Sequence, residues 1–260
     1  MHPILIKLGP LQLSTYGAAV AAGYLASILW LKSHMRDMGL DEQRFWRLIY
    51  CLFFGALAGG KLLFWAVSYR ELLDGRMSLL GDLRYGFVFF GGLLGSLAMG
   101  WVAKLWLGLD FAALSDYFGV ALPWGQALGR LGCLAAGCCY GRPSDLPWAL
   151  KLGGPESSTP PELWGVPLHP VQVYESLADA AIAFFLMTVL LPRARRRELA
   201  PGSVFLWYIA LYGAARFAIE FFRFDDRGAS APPFSISQWL ALGGMAAAGA
   251  LLIRRKAGAR

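Results

Sequence analysis

Residues 204–222 read VFLWYIALYGAARFAIEFF, an apolar run that is long enough to cross a bilayer and yet contains Arg216 and Glu220. A helix needs about 20 mostly apolar residues to cross the hydrocarbon core. Charged side chains within such a helix are costly, and they usually pair with one another or face protein or water. The stretch therefore predicts a membrane helix whose charged face is turned inward.

The rest of the chain repeats this apolar pattern. Of its 260 residues, 57% are hydrophobic and 16% are charged, which lies outside the usual range of soluble domains. Seven runs predict an all-α polytopic membrane protein, and they lie near residues 14–31, 45–67, 86–106, 111–139, 170–191, 201–222 and 235–253. Residues 1–260 are expected to form a single membrane domain with a small external loop region at 141–168. Pro123 and five glycines after Phe118 predict a kinked or broken fourth helix.

Basic residues between the runs predict how the chain crosses the membrane, because cytoplasmic loops carry an excess of Lys and Arg. They follow the first, fifth and seventh runs: Lys32, Arg36, Arg44 and Arg47; Arg193, Arg195, Arg196 and Arg197; Arg254, Arg255, Lys256 and Arg260. These connections share one side only if there are seven spans, with an external N-terminus and a cytoplasmic C-terminus. The opposite connections mix signs, with Arg70, Glu71, Asp74, Arg76, Asp82 and Arg84 in one and Asp225, Asp226 and Arg227 in another.

Two further expectations follow from the same charges. The first run is followed by Lys32 and His34 rather than by a small-residue cleavage site, so it is expected to remain as a span. The net charge of +7 comes from short basic runs between apolar segments, a pattern that indicates membrane topology rather than nucleic acid binding.

The sixth run has a polar face. Tyr212, Arg216 and Glu220 are spaced by four residues and Arg223 follows by three, so the side chains share one side of the helix. A purely structural explanation is that Arg216 and Glu220 neutralise each other. That explanation leaves the charge of Arg130, in the fourth run, without a role.

Arg130 lies in a glycine-rich stretch, GQALGRLG at residues 125–132. Glycines let a backbone or a ligand come close to the guanidinium. Two arginines near a membrane boundary suit a phosphate, because the planar guanidinium makes bidentate, charge-assisted hydrogen bonds. Arg130 and Arg216 therefore suggest a phospholipid headgroup as ligand. Lys61, in the second run, is a further charge in apolar surroundings.

The stretch HPVQVYE at residues 169–175 opens the fifth run. His169 could carry a proton near neutral pH, or it could cap the helix at the interface, and the stretch alone favours neither. Gln172, Glu175 and Asp179 form a second polar stripe that could meet the sixth helix. Tyr16, at the external end of the first run, could belong to an aromatic belt.

Cys133, Cys138 and Cys139 lie among small apolar residues after Arg130. Close helix packing is the favoured interpretation. A redox pair or a metal site is the alternative, and it has less support because CxxC spacing and nearby histidines are absent from the stretch. The sequence thus predicts no metal site and no cofactor.

Several of these segments, in their order along the chain, resemble the prolipoprotein diacylglyceryl transferase family of the bacterial inner membrane. The similar segments are Tyr16-Gly17, residues 59–62 (GGKL), 91–95 (GGLLG), 125–132 (GQALGRLG), 169–175 (HPVQVYE), 212–216 (YGAAR) continuing to Glu220 and Arg223, and Ser237-Gln238. Each segment is weak evidence by itself, whereas the ordered set is specific.

The resemblance implies transfer of the diacylglyceryl group of phosphatidylglycerol to the lipobox cysteine of a prolipoprotein, with release of glycerol phosphate, in a multi-pass inner-membrane enzyme among membrane lipids. It implies a catalytic set of Arg130, Arg216, Tyr212, His169 and Glu220. The residues implied to bind phosphatidylglycerol are Arg130, Arg216, Tyr16, Lys61, Gly91, Gly92, Gln126, Gln172, Glu175 and Arg223. It implies no metal.

The chain departs from the family pattern at three places, which comprise five positions. Phe90 stands where many members have a histidine before the two glycines of the third span, and Cys133 and Ala136 to Cys138 replace polar residues of the fourth-span motif. These departures keep open a phospholipid-dependent transferase with a different acceptor. A phospholipid-binding or transport protein without chemistry is the alternative from another functional class.

Overall fold

The computed structural model describes residues 2–8, 11–75, 86–224, 230–231 and 233–257. The predictions made for Arg76, Asp82, Arg84, Asp225, Asp226, Arg227 and Arg260 lie outside these residues. The first half of the chain forms β1 (Ile4–Leu8), β2 (Leu11–Ser14), α1 (Thr15–Ser33), α2 (Glu42–Val67), α3 (Tyr69–Leu73), α4 (Phe89–Leu107) and α5 (Phe111–Ala136). The second half forms β3 (Leu150–Lys151), a 3-10 turn (Pro161–Leu163), β4 (Pro167–Leu168), α6 (Val171–Phe185), a π-helical turn (Leu186–Leu190), α7 (Leu191–Arg195), α8 (Ser203–Glu220), β5 (Ser230–Ala231), β6 (Phe234–Ser235) and α9 (Ile236–Ala257).

A helix lies at each of the seven predicted runs, with ends that differ from the predictions by a few residues. The fifth continues through the π-helical turn to Arg195, and the sixth ends at Glu220. Among the described residues, four helical segments are long and apolar enough to cross a membrane: Glu42–Val67, Phe89–Leu107, Val171–Arg195 and Ile236–Lys256. The prediction of a mostly helical membrane protein is confirmed at this level.

The fourth helix was predicted to be kinked or broken; the break is wrong, and the kink stays a prediction. Pro123 lies inside α5, and the helix continues beyond it to Ala136. Proline removes one backbone donor and crowds the carbonyl four residues earlier, but membrane helices tolerate it where neighbouring helices compensate. Here α8 supports that turn, because a Cβ on Gly119 would lie only 2.9 Å from the Cα of Phe205.

The chain divides into two units, residues 1–31 with 112–260 (the first unit) and residues 32–111 (the second unit). In the second unit, α2 packs against α4 through glycines. A Cβ on Gly95 would lie 2.1 Å from the carbonyl oxygen of Gly55, and one on Gly91 would lie 2.4 Å from that of Gly59. Only glycine permits this approach, as at many contacts between membrane helices.

In the first unit, α1 meets α5 in the same way, since a Cβ on Gly23 would lie 2.6 Å from the carbonyl oxygen of Gly125. The start of α8 is held by the buried carboxylate of Asp116, which accepts hydrogen bonds from the backbone N–H groups of Gly202 (2.8 Å) and Val204 (2.7 Å). Donors at a helix start lack partners within the helix, so this carboxylate fixes where α8 begins.

The segment between α5 and α6 folds back on the end of α5. The Thr159 hydroxyl donates to the carbonyl of Gly137 at 2.7 Å, and β3 pairs with β4. The backbone N–H of Arg142 donates to the carbonyl of Phe222 at 2.8 Å, and the N–H of His169 donates to the carbonyl of Arg142 at 2.9 Å. These bonds hold the chain after α8 beside the start of α6.

Candidate active site

Among the described residues, three arginines converge on the buried carboxylate of Glu175. Arg216 Nη1 lies 2.6 Å and Arg223 Nη1 lies 3.0 Å from Glu175 Oε1, and Arg130 Nε lies 3.1 Å from Oε2. Glu175 comes from α6, Arg130 from α5 and Arg216 from α8. The predicted meeting of the two polar stripes on the fifth and sixth runs therefore occurs.

Glu220 supplies the second carboxylate. Its Oε2 lies 2.6 Å from Arg216 Nη2 and 3.8 Å from Arg223 Nε, and its Oε1 accepts a hydrogen bond from the Ser235 hydroxyl at 2.9 Å. The intrahelical pair of Arg216 and Glu220 thus exists, but it is only part of a larger group. Arg130, Arg216 and Arg223 with Glu175 and Glu220 are called the arginine cluster below.

The members of the arginine cluster differ in exposure. The side chains of Arg216, Arg223 and Glu175 are 8%, 4% and 5% exposed, whereas that of Arg130 is 22% exposed. A buried charge needs a close partner, and each of these has one. Arg130 is therefore the most exposed of the three arginines that contact Glu175.

A cavity of about 10 Å³, close to the space of one water molecule, lies against the cluster. Its polar lining comes from Arg130, Glu175, Asp179, Tyr212 and Arg216. Tyr212 thus faces the same space as the two arginines that were predicted to bind phosphate. A phosphate group is larger than this cavity.

Two predicted glutamines lie in the same unit. Gln172 is fully buried, and its amide donates to the carbonyl of Cys138 at 2.7 Å, while its Oε1 has no hydrogen-bond partner among the residues that the structure describes. Gln126 accepts a hydrogen bond from the Tyr208 hydroxyl at 3.0 Å. Gln172 thereby ties the start of α6 to the chain after α5, and it retains one acceptor for a further donor.

His169 lies in an aromatic group. Its Nδ1 is 3.2 Å from the Tyr174 hydroxyl, which also accepts a hydrogen bond from Trp148 Nε1 at 2.8 Å, and its ring centroid lies 5.1 Å from that of Phe222. Its backbone is bonded to Arg142 and Gly141. This location fits either a proton carrier or a residue that orders the loop, so its catalytic role stays a prediction.

Three of the residues predicted to bind phosphatidylglycerol belong to the second unit, as does Phe90, which departs from the family pattern. The Lys61 ammonium lies over the rings of Phe64 (4.9 Å), Phe87 (5.4 Å) and Trp65 (5.6 Å) and is 3.5 Å from the carbonyl oxygen of Gly86. Gly91 and Gly92 lie in α4 and pack against α2, and Phe90 is 53% exposed beside them. Their predicted part in substrate binding stays a prediction. Tyr16, in the first unit, is 45% exposed and interacts electrostatically with Arg130.

Three residues that hold the site were missed from the sequence. Arg142 Nε donates to the carbonyl of Arg223 at 3.2 Å, Ser235 binds Glu220, and Asp116 fixes the start of α8. Asp116 is a charge within an apolar run, the same signal that singled out Arg130, and so it could have been found. Arg142 lies in a loop and Ser235 in the short strand β6, where the sequence carries no comparable signal.

The sequence of this chain matches those of known proteins over most of its length. The family model described as prolipoprotein diacylglyceryl transferase matches residues 3–254. The chain belongs to the prolipoprotein diacylglyceryl transferase family. A relative from Clostridium tetani, named phosphatidylglycerol–prolipoprotein diacylglyceryl transferase, is 34% identical over 245 residues, which cover 93% of each chain.

A relative from Geobacter sulfurreducens with the same name is 34% identical over 247 residues, covering 92% of this chain and 90% of its own. One from Photobacterium profundum is 30% identical over 238 residues, covering 87% and 82%. The resemblance found from the sequence is therefore confirmed. Because the match with the family covers nearly the whole chain, it includes both units and every residue of the arginine cluster.

Proposed function

We propose that this chain is a phosphatidylglycerol–prolipoprotein diacylglyceryl transferase. The activity follows from its place in the diacylglyceryl transferase family, whose relatives above are named for it. The observation that carries the chemistry is the convergence of Arg130, Arg216 and Arg223 on Glu175. Buried guanidinium groups of this density suit a phosphate that leaves with a negative charge.

The reaction exchanges one bond for another. The sulfur of the acceptor cysteine attacks the glyceryl carbon that carries the phosphate, a carbon–sulfur bond forms, and the carbon–oxygen bond to phosphate breaks. The electron pair of that bond leaves with glycerol phosphate. The thiol loses its proton because the thiolate is the nucleophile, and His169 or solvent receives it.

Glu175 is the proposed resident counter-ion of the arginines. In the ground state its two oxygens take contacts from all three guanidinium groups. A phosphate entering past Arg130 offers the same guanidinium groups equivalent acceptor oxygens in bidentate geometry. Glu220, bonded to both Arg216 and Ser235, holds Arg216 in place during this exchange. Tyr212 lines the space into which the phosphate would move.

The membrane arrangement completes the proposal. α1, α5 and α8 span the membrane together with the four apolar helical segments, giving seven spans in one domain, an external N-terminus and a cytoplasmic C-terminus in the bacterial inner membrane. The lysines and arginines after the first, fifth and seventh runs support this orientation. The acceptor is the lipobox segment of a prolipoprotein, which reaches the site from the external side.

The test uses the full chain purified in detergent with phosphatidylglycerol and a lipobox peptide. We expect the peptide to gain the mass of a diacylglyceryl group while an equal amount of glycerol phosphate is released, and a peptide with Ala in place of Cys to remain unchanged. If glycerol phosphate is released without any gain of mass by the peptide, the acceptor is a different molecule. Phe90, at the position where many relatives have a histidine, is the observation that favours this second possibility.

A further inference from the structure

Three of the four cysteines come together at the end of α5. The Sγ atoms of Cys133, Cys138 and Cys139 all lie within 4.8 Å of one another, and none of them forms a disulfide. Cys133 is buried in the last turns of the helix, and the other two follow its end. These three residues are called the thiol cluster below.

The backbone is shaped to bring the three thiols together. The helix stops at Ala136, and Gly137 and Cys139 both take left-handed backbone conformations, with φ of 75° and 61°. A residue with a side chain seldom adopts this conformation unless its surroundings impose it. The surroundings here are specific, because Gln172 binds the carbonyl of Cys138 at 2.7 Å and Thr159 binds that of Gly137 at 2.7 Å.

We propose that Cys133, Cys138 and Cys139 form a binding site for a thiophilic d¹⁰ cation, Cu(I) or Zn(II). A metal–sulfur bond of about 2.3 Å places three ligating sulfurs about 3.8 to 4.0 Å apart in tetrahedral or trigonal geometry. Sulfurs within 4.8 Å of one another reach that separation by small side-chain rotations. Soft thiolate ligands select these ions over hard cations such as Mg²⁺ or Ca²⁺.

A disulfide explains the arrangement less well. It requires two sulfurs about 2.05 Å apart and leaves the third thiol without a function. A site with three sulfur ligands uses every member of the cluster. It also accounts for the left-handed conformation of Cys139, which brings its thiol to the other two. Cys133 would contribute from the helix, and Cys138 and Cys139 from the turn that Gln172 and Thr159 hold.

The charges near the cluster favour metal-bound thiolates. Arg130 interacts electrostatically with Cys133 and Cys139, and Arg223 lies within hydrogen-bonding reach of the Cys139 thiol. Each ligating thiol releases its proton when the metal binds, and the two guanidinium groups offset part of the negative charge that results. Arg130 and Arg223 also contact Glu175, so the metal site would adjoin the arginine cluster without sharing its carboxylates.

Metal binding is measured on the full chain in detergent, reduced, stripped of metal and titrated separately with Cu(I) and Zn(II) against competing chelators. We expect one ion per chain for the wild type and for Cys51→Ser, because Cys51 lies in α2, outside the cluster. We expect the triple variant Cys133→Ser, Cys138→Ser and Cys139→Ser to lose the ion, and each single serine variant to bind more than about tenfold more weakly. X-ray absorption of the loaded protein should show three sulfurs at about 2.3 Å.

Three results would overturn the proposal. The first is equal binding by the wild type and by a folded triple variant. The second is a single serine variant that binds the metal with the affinity of the wild type. This result decides the question if the triple variant does not fold. The third is a disulfide between two of the three cysteines in protein taken from membranes without reductant. Transfer activity plays no part in these results, so they are independent of the proposed function.

Discussion

The two units hold their long helices together by different means. In the first unit, α5, α6 and α8 meet at the arginine cluster, where Glu175 contacts an arginine from each of the other two helices. In the second unit, α2 and α4 meet through glycines, and the buried cation, Lys61, lies over aromatic rings. Ion pairs can exchange one partner for an incoming anion. Helices whose backbones are in direct contact leave no space between them for a ligand or for a shift of side chains.

The largest expected effect comes from Arg216→Ala. The substitution removes the ion-pair partner that lies nearest to each of the buried carboxylates of Glu175 and Glu220, so transfer activity should be abolished and the free energy of unfolding should fall by about 3–5 kcal/mol. Transfer to a lipobox peptide and thermal unfolding in detergent measure the two effects. Arg193→Ala, which removes an exposed arginine after the fifth run, is the control and should behave like the wild type.

Arg216→Lys separates charge from geometry. Lysine restores a positive charge but lacks the planar fork that contacts both carboxylates. We expect the stability to recover to a large part while the activity stays well below that of the wild type. Recovery of full activity in the lysine variant would show that only the charge matters and would remove the bidentate phosphate role of Arg216.

Glu175→Gln tests the proposed counter-ion. The amide keeps the shape of the side chain but removes the charge on which three arginines converge, so the guanidinium groups lose their fixed positions. We expect kcat to fall by about a hundredfold, as small misplacements of catalytic groups can cause. The KM for phosphatidylglycerol should stay equal or fall, because a competing anion is gone. A raised KM with unchanged kcat would contradict this role.

Gly95→Ala tests the contact between α2 and α4 in the second unit. The new methyl group would collide with the carbonyl oxygen of Gly55, and overpacking of this kind costs about 1–3 kcal/mol. Thermal unfolding measures the loss, and Gly243→Ala is the matched control because its new methyl group would meet no atom of the described residues within 4 Å. Equal stability of the two variants would mean that α2 and α4 separate at little cost.

The smallest effect is expected from Lys61→Met, which keeps most of the length of the side chain and removes its charge. A cation over an aromatic ring contributes about 2 kcal/mol when it is shielded from water, and the methionine sulfur regains part of that by contact with the same rings. We expect a loss of stability below about 2 kcal/mol in thermal unfolding. An effect on stability as large as that of Arg216→Ala would mean that Lys61 has a role in the second unit equal to that of the arginine cluster in the first.

Much of this architecture could be predicted because its signals are periodic. Apolar runs located all seven long helices, and the four-residue spacing of Tyr212, Arg216 and Glu220 located the polar face of α8. The stripe that contains Glu175 was correctly expected to meet that face. The periodicity shows which side of a helix is polar. Polar side chains in an apolar helix bundle need polar partners, so the polar sides of neighbouring helices pack against each other.

What could not be predicted depends on contacts between distant segments. Pro123 suggested a kink or a break, but the sequence of α5 alone does not show that α8 packs against Gly119. The convergence of the three thiols depends on the left-handed backbone of Cys139, which the loop and Gln172 hold in place. The spacing of the three cysteines along the chain therefore indicated close helix packing. The turn after Ala136, which the spacing does not show, brings their sulfurs together.

The central claim is that the arginine cluster receives the phosphate of the lipid. The most direct measurement compares transfer from the two phosphorothioate diastereomers of phosphatidylglycerol, in which sulfur replaces one or the other phosphate oxygen, by the wild type and by Arg216→Lys. We predict that the wild type is slowed strongly by one diastereomer, because sulfur accepts hydrogen bonds poorly from Arg216, and that this preference shrinks in Arg216→Lys. Equal rates with both diastereomers in both proteins would contradict the account.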